Sequence, residues 1–141
     1  MRSETYGFRV AAGKNFERTL NMTVGQLKKE GFTVVTDIDF QAIAKEKLGI
    51  DEPRYRILGV CNPSMADQAL RADPDIGLLL PCNVVVREDR DGDVTVAFTA
   101  PETLLGLANR DDITKLGLEI RRRLERVRDV VADRAGGASM D

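Results

Sequence analysis

Near its C-terminal end the chain carries Ile113, Leu116, Ile120, Leu124, Val127 and Val131, spaced three or four residues apart. They form one continuous apolar stripe along a helix that begins at Asp111 or Asp112. A stripe of that length needs apolar surface from the rest of the chain to cover it. The preceding segments supply that surface by switching repeatedly between helical and strand spacing. Thr5–Val10 reads as a short strand. Gly13–Asn15 turns into a helix with Phe16, Leu20, Val24 and Leu27 on one side, which Gly31 stops. Phe32–Ile38 then alternates strictly, placing Phe32, Val34, Thr36 and Ile38 on one face of a half-buried strand. Asp39 caps a second helix carrying Phe40, Ile43, Ala44 and Leu48, closed by Gly49.

Tyr55–Cys61 is a third strand, followed by Asn62 as N-cap and Pro63 at the first helical position, where its missing N–H costs nothing. That helix runs to about Ala72. Asp73, Pro74 and Asp75 turn the chain into Ile76–Arg87, which reads as a long apolar strand interrupted at Pro81, and so as an edge or a bulge. Asp91–Gly92 separates two alternating runs and predicts a hairpin that pairs Val94–Thr99 with Val84–Glu88. Pro101 opens a brief helical stretch. The expected class is α+β: a largely antiparallel or mixed sheet with helices on one face, as one domain over residues 1–134 with a flexible tail from Ala135 to Asp141.

With 141 residues, 43% of them hydrophobic, and a net charge of −2, an ordinary apolar core can hold the chain. The two cysteines are therefore no scaffold. The longest apolar runs, around Ile76–Leu80 and Val84–Val86, fall far short of the roughly 20 residues a membrane helix needs. The first fifteen residues show no secretory core, which sets the expectation of a reducing cytoplasm. The chain contains no histidine, and this removes Ser–His–Asp hydrolysis, Cys–His proteolysis and imidazole metal sites.

Several apparent motifs fail on spacing. Gly7 through Gly13–Lys14 lacks the phosphate-loop interval, and Asn15 stands where Ser or Thr would bind magnesium. Asp89, Asp91, Gly92 and Asp93 mimic the start of a calcium loop, but Ala100 stands in place of the closing glutamate. Asn21–Met22–Thr23 is a formal glycosylation acceptor inside a helix. The arginines at 121, 122, 123, 126 and 128 alternate with acidic residues, Glu119–Arg123 at helix-pairing distance. They read as a solvated face and not as a nucleic-acid track.

One constellation survives: Cys61–Asn62–Pro63 and Pro81–Cys82–Asn83, two segments that each set cysteine, asparagine and proline side by side. Cys61 immediately precedes a helix start, where free N–H groups and the helix dipole lower a thiol's pKa and favour anions. Cys82 neighbours a proline that cannot donate to a ladder. The alternative for each cysteine is a small buried apolar residue, and for Asn62 and Asn83 a cap and a bulge residue. A zinc site is disfavoured because two thiols without imidazole do not close one.

The string Tyr55-Arg-Ile-Leu-Gly-Val-Cys-Asn-Pro63, with Ala66, Ala69–Leu70, Asp73–Pro74 and Gly77-Leu-Leu-Leu-Pro-Cys-Asn-Val-Val-Val86, resembles the bacterial and archaeal family catalogued as domain of unknown function 302. Gly31–Phe32 and Asp39–Gly49 match its pattern too. The resemblance implies a TATA-binding-protein-like α+β domain acting as a homodimer, without an established activity. The resulting expectation is a small cytoplasmic dimer with no metal, cofactor, nucleic-acid or membrane partner. It would bind a small anionic or sulfur-containing ligand at Cys61, Asn62, Pro63, Pro81, Cys82 and Asn83. Cys61 would be the contacting thiol and Asn62 a donor. The alternatives are a redox or sulfur-chemistry enzyme cycling a Cys61–Cys82 disulfide, and a purely structural dimer.

Overall fold

Residues 5–136 are described by the computed structural model. Five strands, β1 (Gly7–Ala11), β2 (Thr33–Asp39), β3 (Tyr55–Cys61), β4 (Cys82–Glu88) and β5 (Val94–Thr99), form one sheet in the order β1-β5-β4-β3-β2. Every neighbouring pair is antiparallel, so the mixed-sheet option drops out. Five helices connect and cover the strands: α1 (Phe16–Lys29), α2 (Phe40–Leu48), α3 (Pro63–Ala72), α4 (Pro101–Gly106) and α5 (Asp111–Val131).

Alternation sorts the strands into two faces. Phe8, Leu58, Val60, Val84, Val86, Val94, Val96 and Phe98 are all nearly inaccessible and meet Phe16, Leu20 and Leu27 of α1, Met65 and Ala69 of α3, and the α5 stripe. Burial of this kind contributes about 25 cal/mol per Å² of apolar surface removed from water. The helix stripe is as expected: Ile113, Ile120, Leu124, Val127 and Val131 are buried. Gly117 faces α4 so closely that a Cβ there would lie 3.0 Å from Pro101 O and from Glu102 Cα. The arginines of α5 are engaged by acids, with Arg123 on Glu119 at 3.0 Å, Arg121 on Glu102 at 2.7 Å and Arg126 on Glu30 at 2.8 Å.

Caps set the helix limits where the sequence put them. Asn15, Asp39 and Asn62 each accept from the backbone N–H three residues on, and Gly49 ends α2 at φ 67°. The predicted hairpin is present with Val84 opposite Phe98 and Glu88 opposite Val94, turning at Gly92 with φ 89°.

Two expectations need correcting. Ile76–Arg87 is not one strand: Pro74–Leu79 winds into a 3₁₀ helix capped by Asp73, and the ladder begins at Cys82. Pro74 suits the first position of a helical turn. Pro81, after a cis Leu80–Pro81 bond, has no N–H to give a ladder. The strict alternation of β2 also fails. Val34 pairs with Val60 on the helix-covered face, but Thr36 pairs with Gly59 and Ile38 with Ile57 on the other. Val35 is the extra residue of a β-bulge, and one extra residue moves every later side chain to the opposite face. At the C-terminal end, Ala132–Gly136 continues α5 as a π-helical extension, and the remainder of the expected tail lies outside the described residues.

Candidate functional site

The sheet face away from α1, α3 and α5 carries Thr36 and Ile38 of β2, Tyr55, Ile57, Gly59 and Cys61 of β3, and Asn83, Val85 and Arg87 of β4 by register. The six residues singled out in the sequence divide between the two sides. Cys82, opposite Val60, belongs to the core and is 4% exposed. Cys61, opposite Thr33, is half-buried at the end of β3. The two cysteines are thus one register step apart on adjacent strands, and both are free thiols. Strand alternation directs successive positions to opposite faces, so neighbourhood alone does not set up a disulfide.

Neither thiol is activated. Burial pushes Cys61 above its ordinary value of 9.0. Burial, with a smaller contribution from Cys61, pushes Cys82 up to about 11. Two backbone donors at the start of α3 are already engaged. Asn62 Oδ1 accepts from Met65 N–H at 3.0 Å, Ala66 N–H donates to Asn62 O, and Pro63 has no N–H. Asn62 Nδ2 also donates to Gly31 O at 3.1 Å, joining α3 to the turn that follows α1. Arg123 Nη1 reaches Glu30 O in the same turn at 3.1 Å. Asn62 and Pro63 therefore build the α3 start. Pro81 lies over Gly59, where a Cβ would come within 2.8 Å of its ring and 2.2 Å of Thr36 Oγ1. Asn83 is exposed on the open face opposite Gly59. The void that touches both cysteines measures about 20 Å³, room for one water at most.

A far larger cleft, about 540 Å³, lies at the other end of the same two strands. Tyr55 and Ile57 form its floor beside Arg87, which pairs with Tyr55 across the ladder. Phe40 of α2 meets Tyr55 edge to face at 6.3 Å between ring centres. Arg87 is ion-paired with Asp89 on the β4–β5 hairpin, and Asp89 also accepts from Thr95 Oγ1 at 2.8 Å. Glu52 and Glu88 complete the rim. Reading motif by motif missed this cleft, since Tyr55 read as a strand start and Asp89 as part of an incomplete calcium-loop mimic. The one signal available was an aromatic at each end of the β2–α2–β3 connection. Among the described residues no group of three or more Cys, Asp or Glu is placed to hold a metal ion, and no helix is long and apolar enough to cross a membrane.

A five-stranded antiparallel sheet covered by helices, with a cleft over its open side, defines a mixed α+β domain. The chain belongs to the family described as Domain of unknown function DUF302, whose model matches residues 8–131. It is similar to a crystal structure of an uncharacterized conserved DUF302 protein from Bacillus stearothermophilus, with a TM-score of 0.80 and 28% identity, covering 87% of this chain and 95% of that one. It is also 38% identical over 47 residues to an uncharacterized protein from Aquifex aeolicus (strain VF5). That match takes in 33% of this chain and spans about a third of the curated relative's length.

Proposed function

We propose that this chain is a small-ligand-binding domain that works as a homodimer, with the ligand in the cleft between Phe40, Tyr55 and Arg87. The observation that carries this reading is size. At about 540 Å³ the cleft falls within the range of roughly 300–1,000 Å³ typical of small-molecule sites, and its floor is apolar with a few polar groups converging on it. The void beside Cys61 and Cys82, at about 20 Å³, supports no such occupant. Dimerisation is supported by exposed apolar side chains on β2 and the helix that follows it, among them Val35 at 53%, Ile38 at 41% and Leu48 at 65%. β2 is also an edge strand with unpaired backbone groups. Free thiols suit a reducing compartment such as the cytoplasm.

A second reading keeps the thiol as a contact. Cys61, Pro81 and Asn83 share the open face, so a ligand laid along the sheet would reach Cys61 without entering the core. The experiment for both readings is a fragment-library titration of isotope-labelled protein followed by NMR. Binding is expected to shift Tyr55, Ile57 and Arg87. Shifts confined to Cys61 and Asn83 favour the second reading, and no saturable shift at either place refutes both. Sedimentation equilibrium giving a monomer at all concentrations refutes the dimer.

A further inference from the structure

We infer that a second copy of this chain closes the Tyr55 cleft, docking through the apolar side of α2 so that each ligand site is completed by the partner. The inference rests on the homodimer and the cleft proposed above. α2 spans nine residues, Phe40–Leu48. A helix shorter than about 12–15 residues is marginal in water unless an apolar face is packed. Phe40, Ile43, Ala44 and Leu48 share an arc of about 140° around the helix axis. Of these, only Ala44 is buried within the chain, while Phe40 stays 41%, Ile43 43% and Leu48 65% exposed.

That uncovered side runs into the cleft. Phe40 lies on the arc and also lines the cleft beside Tyr55. Ile38, two residues earlier, is exposed on the open sheet face opposite Ile57, which floors the cleft. The lining comes from α2, the entry to β3 and the end of β4 with its turn, and the cleft is a trough open on one side. Small-molecule sites cover about 70–90% of their ligand, so an open trough needs a lid. At roughly 200 Å² per large side chain, Ile38, Phe40, Ile43 and Leu48 leave about 400 Å² of apolar surface uncovered. That is close to the apolar share of the roughly 800 Å² each partner buries in a standard interface. Charge permits self-association: Lys45 pairs with Asp51 at 3.0 Å and Lys47 stands 3.9 Å from Glu46, so these four cancel. The same balance offers an anionic membrane surface no cluster of positive charge. A twofold contact sets the patch against itself, which brings the partner's α2 to the mouth of the cleft that Phe40 borders.

The test mixes carbon-13-labelled and unlabelled copies of the chain and reads isotope-filtered nuclear Overhauser contacts between protomers. They are expected at the methyl groups of Ile38, Ile43 and Leu48 and at the Phe40 ring. A dimer whose contacts lie elsewhere overturns the inference. The variant Ile43→Lys/Leu48→Lys alters two exposed residues outside the cleft lining and keeps good helix formers in α2. Each substitution occurs twice across a twofold contact, so sedimentation equilibrium should show the dimer dissociation constant raised at least about a hundredfold. Leu78→Lys, on the 3₁₀ helix at a position 87% exposed, should leave the dimer intact. Fragments that shift Tyr55 and Ile57 should bind the monomeric variant about tenfold more weakly, as expected from uncovering about 50 Å² of apolar ligand surface. Unchanged fragment affinity in that variant overturns the closure and leaves both the cleft and the dimer standing. A dimer that survives the double substitution overturns the docking surface. A parent chain that is monomeric at all concentrations overturns the inference together with the homodimer. A dimeric parent that binds no fragment refutes the ligand site, while protomer contacts at Ile43 and Leu48 still support the docking surface.

Discussion

Asn62 is the residue for which a ligand role and a structural role make different predictions. Its amide is occupied at both ends: Oδ1 receives Met65 N–H at 3.0 Å and Nδ2 donates to Gly31 O at 3.1 Å. Losing an N-cap costs about 1 kcal/mol. Losing a side-chain hydrogen bond to a carbonyl costs about 1 kcal/mol more. Asn62→Ala should therefore destabilise the fold by about 2 kcal/mol, which for a chain of this size lowers Tm by about 6–8 °C. Asn62→Ser separates the two contributions, because a serine hydroxyl caps α3 but is too short to bridge to Gly31 as well. It should cost about 1 kcal/mol. Urea and thermal unfolding followed by far-ultraviolet circular dichroism give both numbers. An Asn62→Ala protein within about 0.5 kcal/mol of the parent would refute the structural assignment. A serine variant as damaged as the alanine one would show that capping is not what Asn62 contributes.

Gly59→Ala is expected to cost about 1–3 kcal/mol, because its Cβ would sit 2.2 Å from Thr36 Oγ1 and 2.8 Å from the Pro81 ring. Combining it with Thr36→Ala should recover part of the loss, and strict additivity in denaturant titrations would contradict the crowding argument. In native protein at neutral pH, iodoacetamide should label Cys61 and spare Cys82, whose thiol at a pKa of about 11 is almost wholly protonated and is 4% exposed. Mass spectrometry finding both labelled at similar rates in the folded state would refute that burial. The Arg56 guanidinium, bonded at 2.6 and 2.8 Å, holds the Asp37 carboxyl below its ordinary 3.8. A depressed native pKa adds stability above about pH 4 that is lost as pH falls through the native value. For so exposed a pair the contribution is under about 1 kcal/mol. Asp37→Asn should flatten that acid limb, and an unchanged acid profile would show the pair contributes nothing.

The helix ends, the α5 stripe, the Gly92 hairpin and the antiparallel bias were all readable from the chain, because each depends on neighbours within about four residues. A cap needs its acceptor three positions before the N–H it satisfies, a stripe needs only its spacing, and a turn needs its glycine. The bulge at Val35 was not readable: whether one residue is extruded depends on how β2 must register against β3, and Val34 and Thr36 look the same in either arrangement. The same holds for Pro74–Leu79, where apolar residues suit a buried strand and a short helix equally, and the proline that ends the ladder decides between them.

The candidate site shows the division most sharply. The sequence by itself determined that Cys61 immediately precedes a helix start, that Cys82 neighbours a proline within a strand, and that histidine chemistry is impossible. Only the tertiary structure decided that Cys82 faces the core, that the Asn62 amide bridges Met65 N–H and Gly31 O, and that Phe40, Tyr55 and the β4–β5 hairpin enclose the larger space. The physical reason is that burial, desolvation and cavity volume come from residues far apart in the chain meeting in space, and no local spacing rule carries that information.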